Sequence, residues 1–94
     1  MNITGIVWLR DVVYKLLWKH KITTDEAEEV FVNGPRYKLQ EKGNIRGEDL
    51  YTAYGRTNAG RYLTVFFIYK LNHEALIVTA RDMDRKERRR YAKR

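Results

Sequence analysis

An α+β domain, with a small antiparallel sheet packed by two N-terminal helices and followed by a short basic helix, is the fold class this 94-residue chain predicts. Three observations predict it. The first third carries apolar residues at helical spacing, the middle carries strand-like runs separated by turn signals, and the last stretch opens with a helix cap.

The elements follow in the order β-α-α-β-β-β-β-α. Residues 2–8 (NITGIVW) are short and β-prone. LRDVVYKLLWKH places Leu9, Val12, Val13, Leu16 and Leu17 on one helical stripe, with Tyr14, Lys15, Trp18 and Lys19 to its sides. Tyr14 and Trp18, four apart, either offer a base-stacking surface or flank the packed helix. In ITTDEAEEVF, Thr23 and Glu26 form a capping box, and Asp25 and Glu26 sit where the helix dipole favours acids. Ala27, Val30 and Phe31 are its buried stripe, and Asn33, Gly34 and Pro35 stop it.

RYKLQEK (36–42) reads as an edge strand and LYTAYGR (50–56) as the next, with TNAG as a hairpin turn. RYLTVFFIYK (61–70) is apolar on both faces, as a central strand is. In ALIVTAR (75–81), strict alternation puts Ile77, Thr79 and Arg81 on one face and Leu76, Val78 and Ala80 on the other. Asp84 then caps the final helix, with Glu87 at its third position. The whole chain, 1–94, reads as a single domain without repeats or linkers.

Composition narrows the function. The chain has 19 Lys and Arg against 12 Asp and Glu, a net charge of +7, and no cysteine, so neither disulfides nor thiolate chemistry enter. Residues 81–94 hold 8 of the basic and 3 of the acidic side chains, a local excess that suits a polyanionic partner. No run of 18 apolar residues and no signal-peptide pattern occurs, so a cytoplasmic protein without a membrane segment is expected. His20 and His73 stand far apart and no metal-ligand spacing is present, so neither a metal nor a cofactor is expected.

The remaining chemistry lies in cations placed at strand ends. Arg56 and Arg61 flank the TNAG turn, Arg81 ends the last strand, and Arg85 opens the helix after it. Arginines converging on one sheet face hold a phosphate through bidentate hydrogen bonds. The competing reading leaves them solvated or pairs them with Glu48, Asp49, Asp82 and Glu87. His20 ends the first helix, where the dipole favours an imidazolium; it serves either as a helix terminator or as a proton-transfer group.

Four patterns in order carry a family resemblance: Trp8 leading a helix that ends KH, ITTDEAEEVF, YGRTNAGRYLTVFF and VTARDMDRKERRRY. Together, over roughly residues 6–91, the chain resembles the BrnT toxins of type II toxin–antitoxin systems, a branch of the RelE-like ribonucleases. It departs from the family pattern at Leu9, at Asp84, and at Lys21, which stands where a glycine usually eases a left-handed helix end.

The resemblance implies a RelE-like fold and metal-independent cleavage of RNA that stops translation and growth. It also implies a ribbon-helix-helix antitoxin through which the complex binds operator DNA. Carried over by motif position, the implied catalytic set is His20, Arg61, Arg81, Arg85 and Glu87, with Arg56, Lys19, Arg88, Arg89 and Tyr91 binding RNA. General acid–base work falls to either His20 or Glu87. Arg88, Arg89, Arg90, Lys93 and Arg94 form a docking surface for RNA or an acidic antitoxin. The alternative is a basic module that binds nucleic acid or protein without cutting it.

Overall fold

A computed structural model describes residues 1–93; Arg94, expected on the basic docking surface, lies outside the described residues. Strand β1 (Gly5–Val7) leads into helix α1 (Arg10–Lys15), which continues as a π-helical turn over Leu16–His20. Helix α2 (Thr24–Val32) and strands β2 (Arg36–Glu41), β3 (Asp49–Arg56), β4 (Tyr62–Tyr69) and β5 (Glu74–Asp82) follow, and helix α3 (Arg85–Ala92) closes the chain.

The sheet order is β1-β5-β4-β3-β2, so β4 is central and β2 is an edge, as their apolar patterns predict. Strands β2 to β5 are antiparallel, but β1 pairs parallel with β5, which makes the sheet mixed rather than wholly antiparallel. Among the described residues no helix is long and apolar enough to cross a membrane.

The core lies between the first two helices and one sheet face. Leu16, Ile22, Ala27 and Val30 meet Ala53, Leu63, Val65, Phe67, Ile77 and Ala80 there, all at most 1% exposed. Gly55 belongs to this face because α2 crosses it closely: a Cβ there stands 2.9 Å from a Val30 methyl. Two members of the expected α1 stripe are not in the core, since Leu9 and Leu17 are each 52% exposed. The π turn and the left-handed Lys21 (φ 57°) end the helix, with the N–H groups of Lys21 and Ile22 both closing on the Leu16 carbonyl.

Both expected capping boxes form. The Thr23 hydroxyl accepts from the Glu26 N–H at 3.1 Å and the Thr23 N–H donates to Glu26 Oε1 at 3.0 Å. The Asp84 carboxylate accepts from the Glu87 N–H at 2.7 Å and the Asp84 N–H donates to Glu87 Oε1 at 2.9 Å.

One irregularity decides where the arginines point. Phe66 pairs with Thr79 but Phe67 pairs with Ile77, so Val78 is the extra residue of a β-bulge. Strict alternation does not survive it. Ile77 and Ala80 both face the core, while Thr79 and Arg81 turn to the opposite, open face, beside Phe66 and Thr64.

Candidate active site

On the open face, register aligns one row across four strands. Arg36 lies opposite Tyr54, Tyr54 opposite Thr64, and Thr64 opposite Arg81. Helix α3 lies over this row because its cap begins two residues after β5 ends. The capping glutamate is thereby lowered onto the row. Arg81 donates to it through both terminal nitrogens, Nη1 to Oε1 at 2.6 Å and Nη2 to Oε2 at 2.8 Å. The Thr64 hydroxyl also donates to Glu87 Oε1, at 3.2 Å.

This leaves Arg81 half engaged. Its second Nη1 proton reaches the Asp82 carbonyl at 3.3 Å and its guanidinium lies 5.5 Å from the Phe66 ring centroid. Its Nε proton and its second Nη2 proton make no hydrogen bond with the described residues, which leaves the two donors of the Nε–Nη2 edge for a second bidentate partner. Burial pushes the Glu87 carboxyl up. The Arg81 hydrogen bond, the Asp84 N–H, the Arg81 charge and the Thr64 hydroxyl outweigh that and hold it below the usual carboxylate range, so it is ionised near neutral pH.

Beside this pair lies a cleft of about 440 Å³ lined by Arg36, Tyr37, Lys38, Tyr54, Glu87, Arg90, Tyr91 and Lys93. One carboxylate thus faces a cleft edged by Arg36, Lys38, Arg90 and Lys93. At the strand ends, Tyr62 is opposite Arg56 in register, and the guanidinium carbons of Arg56 and Arg88 lie 4.7 and 4.3 Å from its ring centroid. Tyr91 meets the same ring edge-on at 6.0 Å. Arg85 and Arg89 are exposed on α3.

Arg61 is placed differently. It precedes β4 on the helical side, where it binds Asp82 through Nε at 2.7 Å and Nη2 at 3.1 Å. Its remaining protons reach the carbonyls of Lys21 (2.7 Å) and His20 (3.0 Å) and the Glu26 carboxylate (3.3 Å). All five of its N–H donors are committed to protein.

His20 sits at the helix end of this second cluster, where its charge helps to lower Asp82, and Lys19 is exposed beside it. The structure therefore gathers Arg56, Arg81, Glu87, Arg88 and Tyr91 on the open face. It keeps Arg61, His20 and Lys19 on the helical side, so the expected catalytic set does not converge on one face. The reading that paired arginines with acids holds for Arg61–Asp82 and Arg81–Glu87, while Glu48 pairs with Lys70 instead. Arg36, Tyr54, Tyr62 and Thr64 were absent from the expected set; alternation along β2 and β3 from Arg56 is the signal that points to the first two.

The acids of both clusters are depressed together. Glu26 is lowered first by the Thr23 N–H and then by Arg61, against a contribution from burial, and Asp82 is lowered chiefly by its hydrogen bond from Arg61. A depressed folded-state pKa stabilises the fold fully above the unfolded value, and that contribution is lost as pH falls through the folded value. The urea midpoint is therefore expected to be level above about pH 5 and to fall below about pH 4. An acid limb free of any contribution from Glu26, Asp82 and Glu87, shown by unchanged slopes in their amide variants, contradicts this.

A small basic α+β domain with a guanidinium–carboxylate pair beside a cationic cleft has the charge that suits a polyanionic partner. The family model described as "Ribonuclease toxin, BrnT, of type II toxin-antitoxin system" matches residues 13–87, and the chain belongs to that family. Among solved structures it is similar to the 1.1 Å crystal structure of the Brucella abortus ribonuclease toxin BrnT, with a TM-score of 0.63 and 18% identity over 89% of this chain and 100% of that one. No curated protein sequence matches. Membership makes the chain a ribonuclease toxin with RNA as substrate and a protein antitoxin as partner.

Proposed function

We propose that this toxin cuts RNA without a metal ion, on the open sheet face, using Arg81 and Glu87. The observation that carries this reading is the Nε–Nη2 edge of Arg81, whose Nε proton and second Nη2 proton make no hydrogen bond with the described residues, beside an ionised carboxylate. Arg81 holds the scissile phosphate on that edge and neutralises the charge that builds on phosphorus. Glu87 takes the proton of the ribose 2′-hydroxyl as its oxygen bonds to phosphorus. The bond to the 5′-oxygen breaks, and Glu87 returns the proton to that leaving oxygen. The products are a 2′,3′-cyclic phosphate and a 5′-hydroxyl. Arg56, Arg88, Tyr91 and the exposed Arg85 and Arg89 hold the flanking strand, with Arg36, Lys38 and Arg90 along the cleft. Arg61 acts as a positioning residue for the strand end that carries Arg81, and His20 and Lys19 lie outside the reacting groups.

The family resemblance supports a ribbon-helix-helix antitoxin that carries the complex to operator DNA, and a cytoplasmic toxin that arrests growth by stopping translation. Purified protein is expected to cut RNA at an unchanged rate in excess EDTA. An oligonucleotide with 2′-deoxyribose at the cleavage position is expected to stay intact, since the nucleophile is missing. Loss of cleavage on chelation, or cleavage of the deoxy substrate, contradicts the mechanism.

A further inference from the structure

The first helix carries large apolar side chains that the described residues leave more than half exposed. Tyr14, Leu17 and Trp18 are 69, 52 and 81% exposed. Spacings of three and four put them on one side of the helix, away from Val12 and Leu16, which enter the core. Trp8, by contrast, is half buried and donates to Glu28 at 2.7 Å. Between Arg10 and Lys21 the same segment exposes Arg10, Lys15, Lys19 and Lys21, with Asp11 as its one acid. A contiguous aromatic and aliphatic surface in a cationic frame marks an interaction site.

We infer that this face anchors the antitoxin through an acidic amphipathic segment, whose apolar side chains cover Tyr14, Leu17 and Trp18 and whose carboxylates meet the surrounding Lys and Arg. The inference rests on the family reading, which supplies a protein antitoxin as partner. Two observations favour an acidic protein over RNA. Leu17 in the patch offers no face for base stacking, and the helix lies across the sheet from the cleft that holds Glu87. The anchor also leads toward the site. Arg61 ties the carbonyls of His20 and Lys21 to Asp82, the neighbour of Arg81. A segment seated on Trp18 and continuing past His20 reaches the strand end that carries Arg81.

The test uses the full chain and, as probe, the small protein encoded next to it in its own operon, purified separately. Calorimetry is expected to show that Leu17→Asp with Trp18→Glu weakens binding by about 30-fold or more. RNA cleavage by the free variant is expected to equal that of the wild type, and co-expressed antitoxin should no longer rescue growth. Trp18→Ala and Lys15→Glu, each confined to an exposed side chain, carry the same test if the double variant melts early. Wild-type affinity in these variants overturns the inference. So does loss of oligonucleotide binding, or of a wild-type self-dimer, with antitoxin binding intact. If the wild-type chain cuts no RNA but the variants still lose the antitoxin, the cleavage reading fails and this surface stands.

Discussion

Replacing Arg81 with Ala is expected to slow RNA cleavage by about 10²–10³-fold, the usual cost of removing one preorganised donor from a developing oxyanion. Glu87→Gln is expected to cost about 10²–10⁴-fold, as a lost proton-transfer group does. The two effects arise from one constellation. Arg81 spends two donors on the carboxylate and, in the proposed mechanism, offers its Nε–Nη2 edge to phosphate, so deleting either residue disturbs both functions. The effects of the two substitutions are therefore expected to be less than additive in the double variant. Arg81→Ala also leaves a carboxylate with only 16% side-chain exposure short of its main partner, which costs about 1–3 kcal/mol of stability. Rates must accordingly be compared per folded molecule, with the melting curve beside them. Arg81→Lys keeps the charge but not the two-edged fork, and is expected to recover little. Cleavage by Arg81→Ala within a few-fold of wild type contradicts the assignment.

Arg61→Ala is expected to produce the largest loss of stability, about 2–3 kcal/mol, seen as a fall in Tm of roughly 10–20 °C. Five donors fasten the end of the first helix, the start of α2 and the end of β5 to one guanidinium. Its removal strands two main-chain carbonyls and two carboxylates. The figure stays modest because Asp82 is 61% exposed and water replaces part of what is lost. At a temperature where the variant is folded, its cleavage rate is expected to stay near that of the wild type, separating a positioning arginine from one that touches phosphate. An unchanged Tm with cleavage abolished reverses the roles of Arg61 and Arg81.

Why the two arginines are not distinguishable in the sequence is instructive. Each follows a strand-end signal, each ends up paired with the glutamate of a capping box, Glu26 or Glu87, and the two boxes read alike. What separates them is the face of the sheet, and that depends on the bulge at Val78. In ALIVTAR, three consecutive apolar residues, Leu76, Ile77 and Val78, fit either face, so no polar position reveals where the alternation slips. The parallel pairing of β1 is equally silent, because three residues of GIV carry no information about their partner. The π turn leaves no trace either, since Leu16 and Leu17 are both apolar while only Leu16 is buried.

Local chemistry was legible wherever it was local. Both capping boxes and the central place of β4 follow from short stretches and appear as expected. The cross-strand row Arg36–Tyr54–Thr64–Arg81 was not, because it joins residues that only register brings side by side.

Titration of isotope-labelled protein with a short RNA carrying a single 2′-deoxy block tests most directly where the substrate lies. The resonances of Arg36, Tyr54, Tyr62, Thr64, Arg81 and Glu87 are expected to shift together and saturate in step, while those of His20, Arg61 and Glu26 stay still. Saturable shifts confined to His20, Arg61 and Glu26, with the open face unmoved, would place the substrate on the other side of the sheet and contradict it.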